Sequence, residues 1–229
     1  MASMKRHLSF AIFSLLAAVA SATPYYVGFE GDCMPETLPG WERHFGGGGA
    51  NRYIETDPNG NSYLVIDSLA SQMIYDYAVY DRQMDPAPGE LFRAEWRVKV
   101  VEHYGWYNSG LGFASDTGNA QAFYYSLDHI DRSQGGTYPI APGEFHSYRF
   151  ESADMTHYIL WIDDEEVWNG TWDIIGGVVF SSAAFGDPIT GGGARSLAEW
   201  DYFRFSVVPE PSPMILTLFA CVCAAAHRR

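Results

Sequence analysis

The carboxylates that could do acid–base chemistry lie in two parts of the sequence. Glu199 and Asp201 alternate in "AEWDYFRF", and alternate side chains of a strand share one face of its sheet. A retaining glycosidase cleaves a sugar chain with two carboxyl groups about 5 Å apart on such a face. The densest acidic cluster, residues 163–166, is instead consecutive. Its side chains therefore point apart, and we expect a solvated turn.

Histidine and serine add little to this chemistry. The domain's histidines show no metal-ligand spacing such as His-x-x-x-His on a helix; they are residues 44, 103, 129, 146 and 157. His146 alternates with aromatic residues in "FHSYRFE", which indicates a core position. Ser181 and Ser182 lack the glycine frame of a nucleophile elbow. The sequence therefore favours structural roles for these residues.

Aromatic side chains are the stronger candidates for ligand binding, because tyrosine and tryptophan rings stack on the apolar faces of sugars. Trp106 and Tyr107 lie in the polar stretch "EHYGWYNSG", where burial does not explain them. Tyr124 and Tyr125 are adjacent, so in a strand one of them must leave the core. We predict a carbohydrate site at Trp106, Tyr107 and Tyr124. Three other tryptophans are predicted to fill the core: Trp96, Trp161 and Trp200.

The elements that position these residues are predicted to be strands. Residues 91–100, "LFRAEWRVKV", alternate apolar and polar with period two, as a half-buried strand does. Two apolar runs flank Asp163 and Asp164, as in a hairpin. Other strand candidates are residues 25–29, 62–66, 72–77, 110–114, 122–127, 178–181 and 199–205. No segment keeps a helical period, so the sequence predicts an all-β fold, an antiparallel jelly-roll sandwich.

The N-terminal residues 1–22 have the pattern of a signal peptide. Lys5 and Arg6 precede an apolar stretch at residues 8–19, and Ala20-Ser21-Ala22 has the small-x-small form that signal peptidase accepts. We therefore expect an N-terminal signal helix, cleavage after Ala22, and export of the chain.

The C-terminal residues 207–229 are also organised. Pro209-Glu210-Pro211 is followed by an apolar run at residues 214–226 and then by Arg228 and Arg229. The run is shorter than the roughly 20 residues of a free-standing membrane helix. Behind a signal peptide, this arrangement resembles the PEP-CTERM sorting signals of Gram-negative bacteria.

The resemblance implies a short apolar helix at about residues 213–226 that holds the exported protein in the inner membrane. The arginines would face the cytoplasm, as the positive-inside rule requires, until an exosortase cuts near the Pro-Glu-Pro. A permanent tail anchor and a GPI-type signal are the alternatives, although the GPI pathway lacks the terminal arginine pair.

Residues 23–206 remain as one domain of the size of a single β-sandwich. The chain has 14 Lys plus Arg and 28 Asp plus Glu, and residues 23–208 keep 10 and 27 of them, a net charge of −17. Binding phosphate needs cations, so nucleic acid is excluded as a partner. Cys33 is the only cysteine of residues 23–208, so this domain has no intrachain disulfide.

The domain also resembles the concanavalin A-like jelly rolls, which include laminin G modules, legume-type lectins and laminarinase-type glycoside hydrolases. Residues 145–150 and 158–163 are similar to that fold's paired strands, "AEWDYFRF" to its closing strand and "GFEGD" (28–32) to its opening strand. The hydrolases carry Glu-x-Asp-x-Glu on one strand. Phe203 stands here where the third carboxylate is needed, so we predict that the protein is not an enzyme.

The same resemblance implies a structural Ca²⁺ that clips the first strand to the last, with Glu30 and Asp201 at the matching positions and Asp32 as a further ligand. Calcium takes six to eight oxygen ligands. We expect Asp201 to share a face with Phe203 and Phe205, where no lysine or arginine is adjacent. A buried carboxylate needs a partner, and Ca²⁺ would supply it.

These observations predict an exported, non-catalytic module at the cell surface or in the extracellular matrix that associates with extracellular polysaccharide. Signal peptidase and an exosortase would process it, and the inner membrane would hold its tail before cleavage. One alternative is a structural envelope or matrix protein without a small ligand, and another is a degenerate relative of the glycoside hydrolases.

Overall fold

The structure, a computed structural model, describes residues 25–70, 75–80, 85–88, 90–105, 109–174, 182–188 and 194–209. These residues form sixteen β-strands and a short 3-10 helix, Pro35–Thr37. Within these ranges no helix has the length and apolar character to cross a bilayer. The all-β prediction is confirmed. The signal peptide, the apolar C-terminal run, Glu210, Pro211, Arg228 and Arg229 lie outside the described residues.

One antiparallel sheet, sheet A, has eight strands: β1 (Tyr25–Phe29), β3 (Asn51–Thr56), β4 (Ser62–Asp67), β6 (Glu90–Tyr104), β11 (His146–Ser152), β12 (His157–Ile162), β13 (Glu165–Thr171) and β16 (Arg195–Pro209). Their order is β13-β12-β11-β6-β16-β4-β3, and β1 also pairs with β16. The first and last strands of the domain therefore lie side by side, as the resemblance to concanavalin A-like proteins implied.

The other antiparallel sheet, sheet B, also has eight strands: β2 (Trp41–Gly46), β5 (Tyr75–Tyr80), β7 (Ser109–Ala114), β8 (Asn119–Tyr125), β9 (His129–Arg132), β10 (Thr137–Pro139), β14 (Asp173–Ile174) and β15 (Ser182–Asp187). Their order is β10-β9-β8-β7-β15-β5-β2, and β14 also pairs with β8. Strands β15, β7 and β8 therefore occupy the middle of this sheet.

The core between the two sheets is largely aromatic. Trp96 is fully buried, stacks on Tyr148 with 5.4 Å between ring centroids, and donates from Nε1 to the Tyr125 hydroxyl at 2.7 Å. Trp200 is fully buried as well. The predicted core positions of Trp96 and Trp200 are therefore confirmed. Burial raises the pKa of Tyr125 well above its usual value, so its hydroxyl stays protonated in the core.

The hairpin predicted around Asp163 and Asp164 is present, because these two residues join β12 to β13 with φ angles of 49° and 67°. Positive φ at both central residues is the geometry of a two-residue hairpin turn. Both side chains are exposed, as expected of a solvated turn. Asp163 also accepts from the Ser147 amide at 2.9 Å and lies 2.5 Å from Nδ1 of the buried His146, which confirms the core position of that histidine.

A β-bulge in β16 changes which residues of this strand face the core. Trp200 and Tyr202 oppose two consecutive residues of β6, so Asp201 is the extra residue. Trp200 and Phe203 both belong to the core, whereas Asp201 binds Arg97 on the outer face of sheet A. The prediction that Asp201 shares a face with Phe203 is therefore wrong, because the bulge shifts the alternation by one residue.

A buried ion cluster joins the two sheets at one edge. Asp76 of β5 is fully buried and accepts hydrogen bonds from Arg43 of β2 and, at 2.8 Å, from the Ala50 amide. Arg52 of β3 lies 3.5 Å from Asp76 and 3.0 Å from Glu36. Burial lowers the pKa of Arg52, although both carboxylates oppose the shift. The cluster therefore fixes strands of both sheets around one carboxylate.

Candidate functional site

The outer face of sheet B is built from very small residues in its middle strands. Leu111 and Phe113 of β7 and Phe185 of β15 face the core, so the residues that alternate with them face outward. The registers pair these outward residues with one another across β8, β7 and β15. They are Gly110, Gly112, Ala122, Ala184 and Gly186. The centre of the face is therefore a floor of backbone and methyl groups.

Two tyrosines on this face lie against glycines of the neighbouring strand. Tyr124 opposes Gly110, and Tyr75 opposes Gly46. A Cβ atom added to Gly110 would be 3.1 Å from Cδ1 of Tyr124, and one added to Gly46 would be 2.5 Å from Cε1 of Tyr75. Each ring therefore occupies the space that a side chain opposite would need, which explains why glycine stands at both positions.

The edge of the floor formed by β2 and β5 is an aromatic wall. The rings of His44 and Tyr77 stack with 5.6 Å between centroids and 25° between planes, and Tyr75 lies 5.9 Å from Tyr77. A cavity of about 350 Å³ opens here, and its lining includes His44, Tyr75, Tyr77 and Pro188. This volume is at the lower end of the range of small-ligand sites. Burial raises the pKa of Tyr77 further above neutral, and its hydroxyl can donate or accept a hydrogen bond.

Carboxylates stand on both sides of the floor. Glu42 of β2 is exposed and lies 3.7 Å from His44. On the opposite side, Asp131 of β9 pairs with Tyr124 in register and accepts a 2.5 Å hydrogen bond from Thr137. Carboxylate oxygens in these places can accept hydrogen bonds from the hydroxyl groups of a sugar. The face therefore combines aromatic rings with acceptors on either side of a floor without large side chains.

The sequence-predicted binding residues have different outcomes. Tyr124 lies on the outer face of sheet B while Tyr125 is buried, so the prediction that one of them leaves the core is confirmed. Trp106 and Tyr107 lie outside the described residues; Ser109, two positions beyond Tyr107, begins the central strand β7. Trp161 is not a core residue, because Leu160 and Ile162 on either side of it face inward. The apolar run "YILWI" conceals this alternation.

The candidate catalytic carboxylates lie on the other sheet. Glu199 and Asp201 belong to β16 of sheet A and are paired with Lys99 at 2.5 Å and Arg97 at 2.6 Å. Phe203, which replaces the third carboxylate, is fully buried. Both candidate carboxylates are therefore engaged in ion pairs on the outer face of sheet A. The floor of glycine and alanine and the tyrosines beside it, together the tyrosine–glycine floor, lie on the outer face of sheet B.

The two predicted calcium ligands come close in the fold but contact arginines. Glu30 binds Arg204 through Nε at 2.8 Å, and Asp201 accepts from Arg97 and, at 3.0 Å, from Asn61. The expectation that no cation lies beside Asp201 is wrong, because Arg97 reaches it from the neighbouring strand. Among the described residues no three His, Cys, Asp or Glu side chains form a metal-binding group. Calcium at Glu30 and Asp201 stays a prediction.

Neither a protein-family model nor a curated protein matches the sequence. The structure aligns with a carbohydrate esterase from a Shiga toxin-encoding bacteriophage at a TM-score of 0.57 and 13% identity, over 81% of this chain and 98% of the other. Lectin II from Ulex europaeus aligns at a TM-score of 0.50 and 12% identity, over 80% of this chain and 98% of the other. Arcelin-5, a lectin-like defence protein from Phaseolus vulgaris, aligns at a TM-score of 0.50 and 10% identity, over 82% of this chain and 100% of the other.

These similarities show the fold and nothing finer, because the sequence identities are only 10–13%. The neighbours have the concanavalin A-like β-sandwich of lectins, as the sequence resemblance implied. The aromatic wall of His44, Tyr75 and Tyr77 was missed from the sequence. Its only local signal was the alternation in "YDYAVY", in which Tyr75 and Tyr77 share a face, and strand periodicity does not say which face meets the core.

Proposed function

We propose that the outer face of sheet B binds carbohydrate and that the protein is a non-catalytic binding module. The observation that carries the proposal is the floor of glycine and alanine between tyrosines on β5 and β8. A sugar ring can approach such a floor closely while aromatic side rings stack on its C–H groups. Hydroxyl groups of the sugar can then reach the carboxylates of Glu42 and Asp131.

The structural neighbours support this proposal, because they include two proteins described as a lectin and lectin-like and one described as a carbohydrate esterase. Binding without cleavage is supported by the residues at the centre of the face. Gly110, Gly112 and Gly186 leave the described middle strands without the pair of carboxylates that glycoside hydrolysis requires. The carboxylates at Glu199 and Asp201 are neutralised by cations on the other face.

Loss of single tyrosines tests the proposed surface. Glycan-array binding of the full chain, kept in a detergent without a sugar headgroup, should fall about tenfold for Tyr77→Ala and for Tyr124→Ala, because loss of a stacking ring costs about 1.5 kcal/mol. Tyr53→Ala is the matched control, since Tyr53 is an exposed tyrosine on β3 of sheet A. Its array profile should match that of the parent protein.

An array without any signal for the parent protein would refute the carbohydrate proposal and favour a structural protein of the envelope or matrix. Equal losses for Tyr53→Ala and Tyr77→Ala would show that the signal does not come from the outer face of sheet B.

The export and sorting of the protein are part of the same proposal. We infer from the two terminal sequences that signal peptidase removes residues 1–22 and that an exosortase cuts near Pro209-Glu210-Pro211. Strand β16 ends at Pro209, so the motif begins on the last residue of the sandwich. Replacing Glu210 should change processing in a host that carries an exosortase. Mass spectrometry that finds residues 214–229 in the mature protein would instead favour a permanent anchor.

Calcium binding at Glu30 and Asp201 is proposed from the family resemblance and is tested by thermal unfolding. A site whose dissociation constant is 100-fold below the free calcium concentration stabilises the fold by about 2.7 kcal/mol. The melting temperature should therefore rise by a few degrees between EDTA and millimolar Ca²⁺. Coincident curves would remove Glu30 and Asp201 from the proposed calcium ligands.

A further inference from the structure

We propose that the ligand of the outer face of sheet B is an uncharged polysaccharide, and that polymers of uronic acids or sulfated sugars are rejected. This inference rests on the proposed function of the face and specifies the ligand. It follows from where the fold places its positive charges relative to the tyrosine–glycine floor.

Five of the nine described lysines and arginines of the domain are on the opposite side of the sandwich. Nine of the ten lysines and arginines between residues 23 and 208 are described. Five of them alternate with core residues on β6, β11 and β16, and so they lie on the outer face of sheet A. They are Arg93, Arg97, Lys99, Arg149 and Arg204. These five cations therefore lie on the side away from the floor, and each is in an ion pair with a carboxylate there.

The remaining described cations are engaged elsewhere. Arg43 lines the cavity beside His44, but its Nε donates to the buried Asp76 at 3.0 Å. The two side chains form a salt bridge, so their charges cancel. Arg52 belongs to the same cluster. Arg132 and Arg195 donate to backbone carbonyls and lie over aromatic rings.

The charges that do face the floor are negative. Glu42 and Asp131 stand on its two sides, and the net charge of residues 23–208 is −17. Carboxylate and sulfate groups of sugars are bound through arginine or lysine. Without a free cation among the described residues of this face, each such group would be desolvated beside like charge. Uncharged pyranose rings meet no such cost and use the stacking and hydroxyl contacts that the face offers.

Polymers of matched size and different charge distinguish the two ligand classes. The full chain, in a detergent without a sugar headgroup, is run in native gels that each contain one polymer. The neutral polymers are glucan, mannan, xylan and galactan, the acidic ones are alginate and polygalacturonate, and the basic one is chitosan. At least one neutral polymer should retard the protein, and Tyr77→Ala should weaken the retardation about tenfold. The affinity should change less than about twofold between roughly 0.05 and 0.5 M NaCl, because salt screens charge and not stacking.

Two results would overturn the uncharged ligand class alone, and a third would overturn the proposed carbohydrate binding. Retardation by alginate or polygalacturonate that Tyr77→Ala abolishes would overturn the uncharged class while supporting the carbohydrate site. Retardation by chitosan alone, lost in Tyr77→Ala, would do the same in favour of amino sugars. Retardation by no polymer, or only by chitosan at low salt and equally in Tyr77→Ala, would overturn the proposed function itself.

Discussion

The outer face of sheet A carries charged side chains in cross-strand pairs, whereas the outer face of sheet B carries glycine, alanine and tyrosine. On sheet A, Arg93 donates to Glu151 at 2.8 Å and Lys99 pairs with Glu199. Trp161 is itself covered, because the guanidinium of Arg149 lies 4.3 Å from its ring centroid. Sheet A therefore pairs most of its outward charges with groups on its own strands, and the cavity of about 340 Å³ on this face is lined by charged residues such as Glu95 and Arg149 beside Trp161.

Sheet B carries aromatic rings and glycines in place of cross-strand charge pairs at the centre of its outer face. Its tyrosines rest on glycines, and the stacked His44 and Tyr77 border an open cavity of about 350 Å³. Cross-strand charge pairs stabilise a sheet surface by a few tenths of a kcal/mol each, but glycine in a strand weakens it. Sheet A therefore has the composition of a solubilising surface, while sheet B carries glycines that weaken its strands and a floor that is partly exposed at Gly112, Ala122 and Ala184.

The largest expected effect concerns the ion cluster under the edge of sheet B. Asp76→Ala should destabilise the protein by about 3–5 kcal/mol, because it leaves the buried Arg52 without one carboxylate partner. Asp76→Asn should cost less, since its amide oxygen can still accept from the Ala50 amide. Denaturant unfolding measures both. A loss below about 1 kcal/mol for Asp76→Ala would show that water already screens this cluster.

A side chain on the floor of sheet B should break the contrast between the faces. Gly112→Lys should reduce neutral glycan affinity about tenfold, roughly 1.4 kcal/mol, because the new side chain occupies the space above the floor. Folding should be retained, since a Cβ at Gly112 meets its nearest atoms at 3.6 and 3.8 Å. Gly112→Ala is the control with little added volume. Titration with a bound glycan measures the effect, and unchanged affinity in Gly112→Lys would place the ligand elsewhere.

The smallest expected effect is on sheet A. Arg93→Gln should cost less than about 1 kcal/mol, because the ion pair with Glu151 is partly exposed and screened by water. Its glycan affinity should equal that of the parent protein. Thermal unfolding and the same titration are the measurements. A marked loss of glycan binding in Arg93→Gln would mean that sheet A takes part in recognition.

Several strands could be located from the sequence because their alternation is local. Residues 25–29 were predicted as a strand and are β1, and residues 110–114 fall within β7. The prediction at residues 72–77 overlaps β5, which is described as Tyr75–Tyr80, and residues 178–181 lie outside the described part. Strands β2, β3, β9, β10, β14 and β15 were not predicted. Strands β2, β3 and β10 are at sheet edges and have polar, weakly alternating sequences, whereas β15 lies in the middle of sheet B.

Alternation of side chains in the sequence was enough to assign the all-β class, the buried face of β6 and the outward position of either Tyr124 or Tyr125. These properties depend on neighbours within one strand. Only the tertiary structure decided that Gly110 and Gly186 join one floor, that Tyr75 covers Gly46, and that a bulge turns Asp201 toward Arg97. Pairing between strands distant in sequence is fixed by core packing and register, and no local pattern encodes which distant strand will be adjacent.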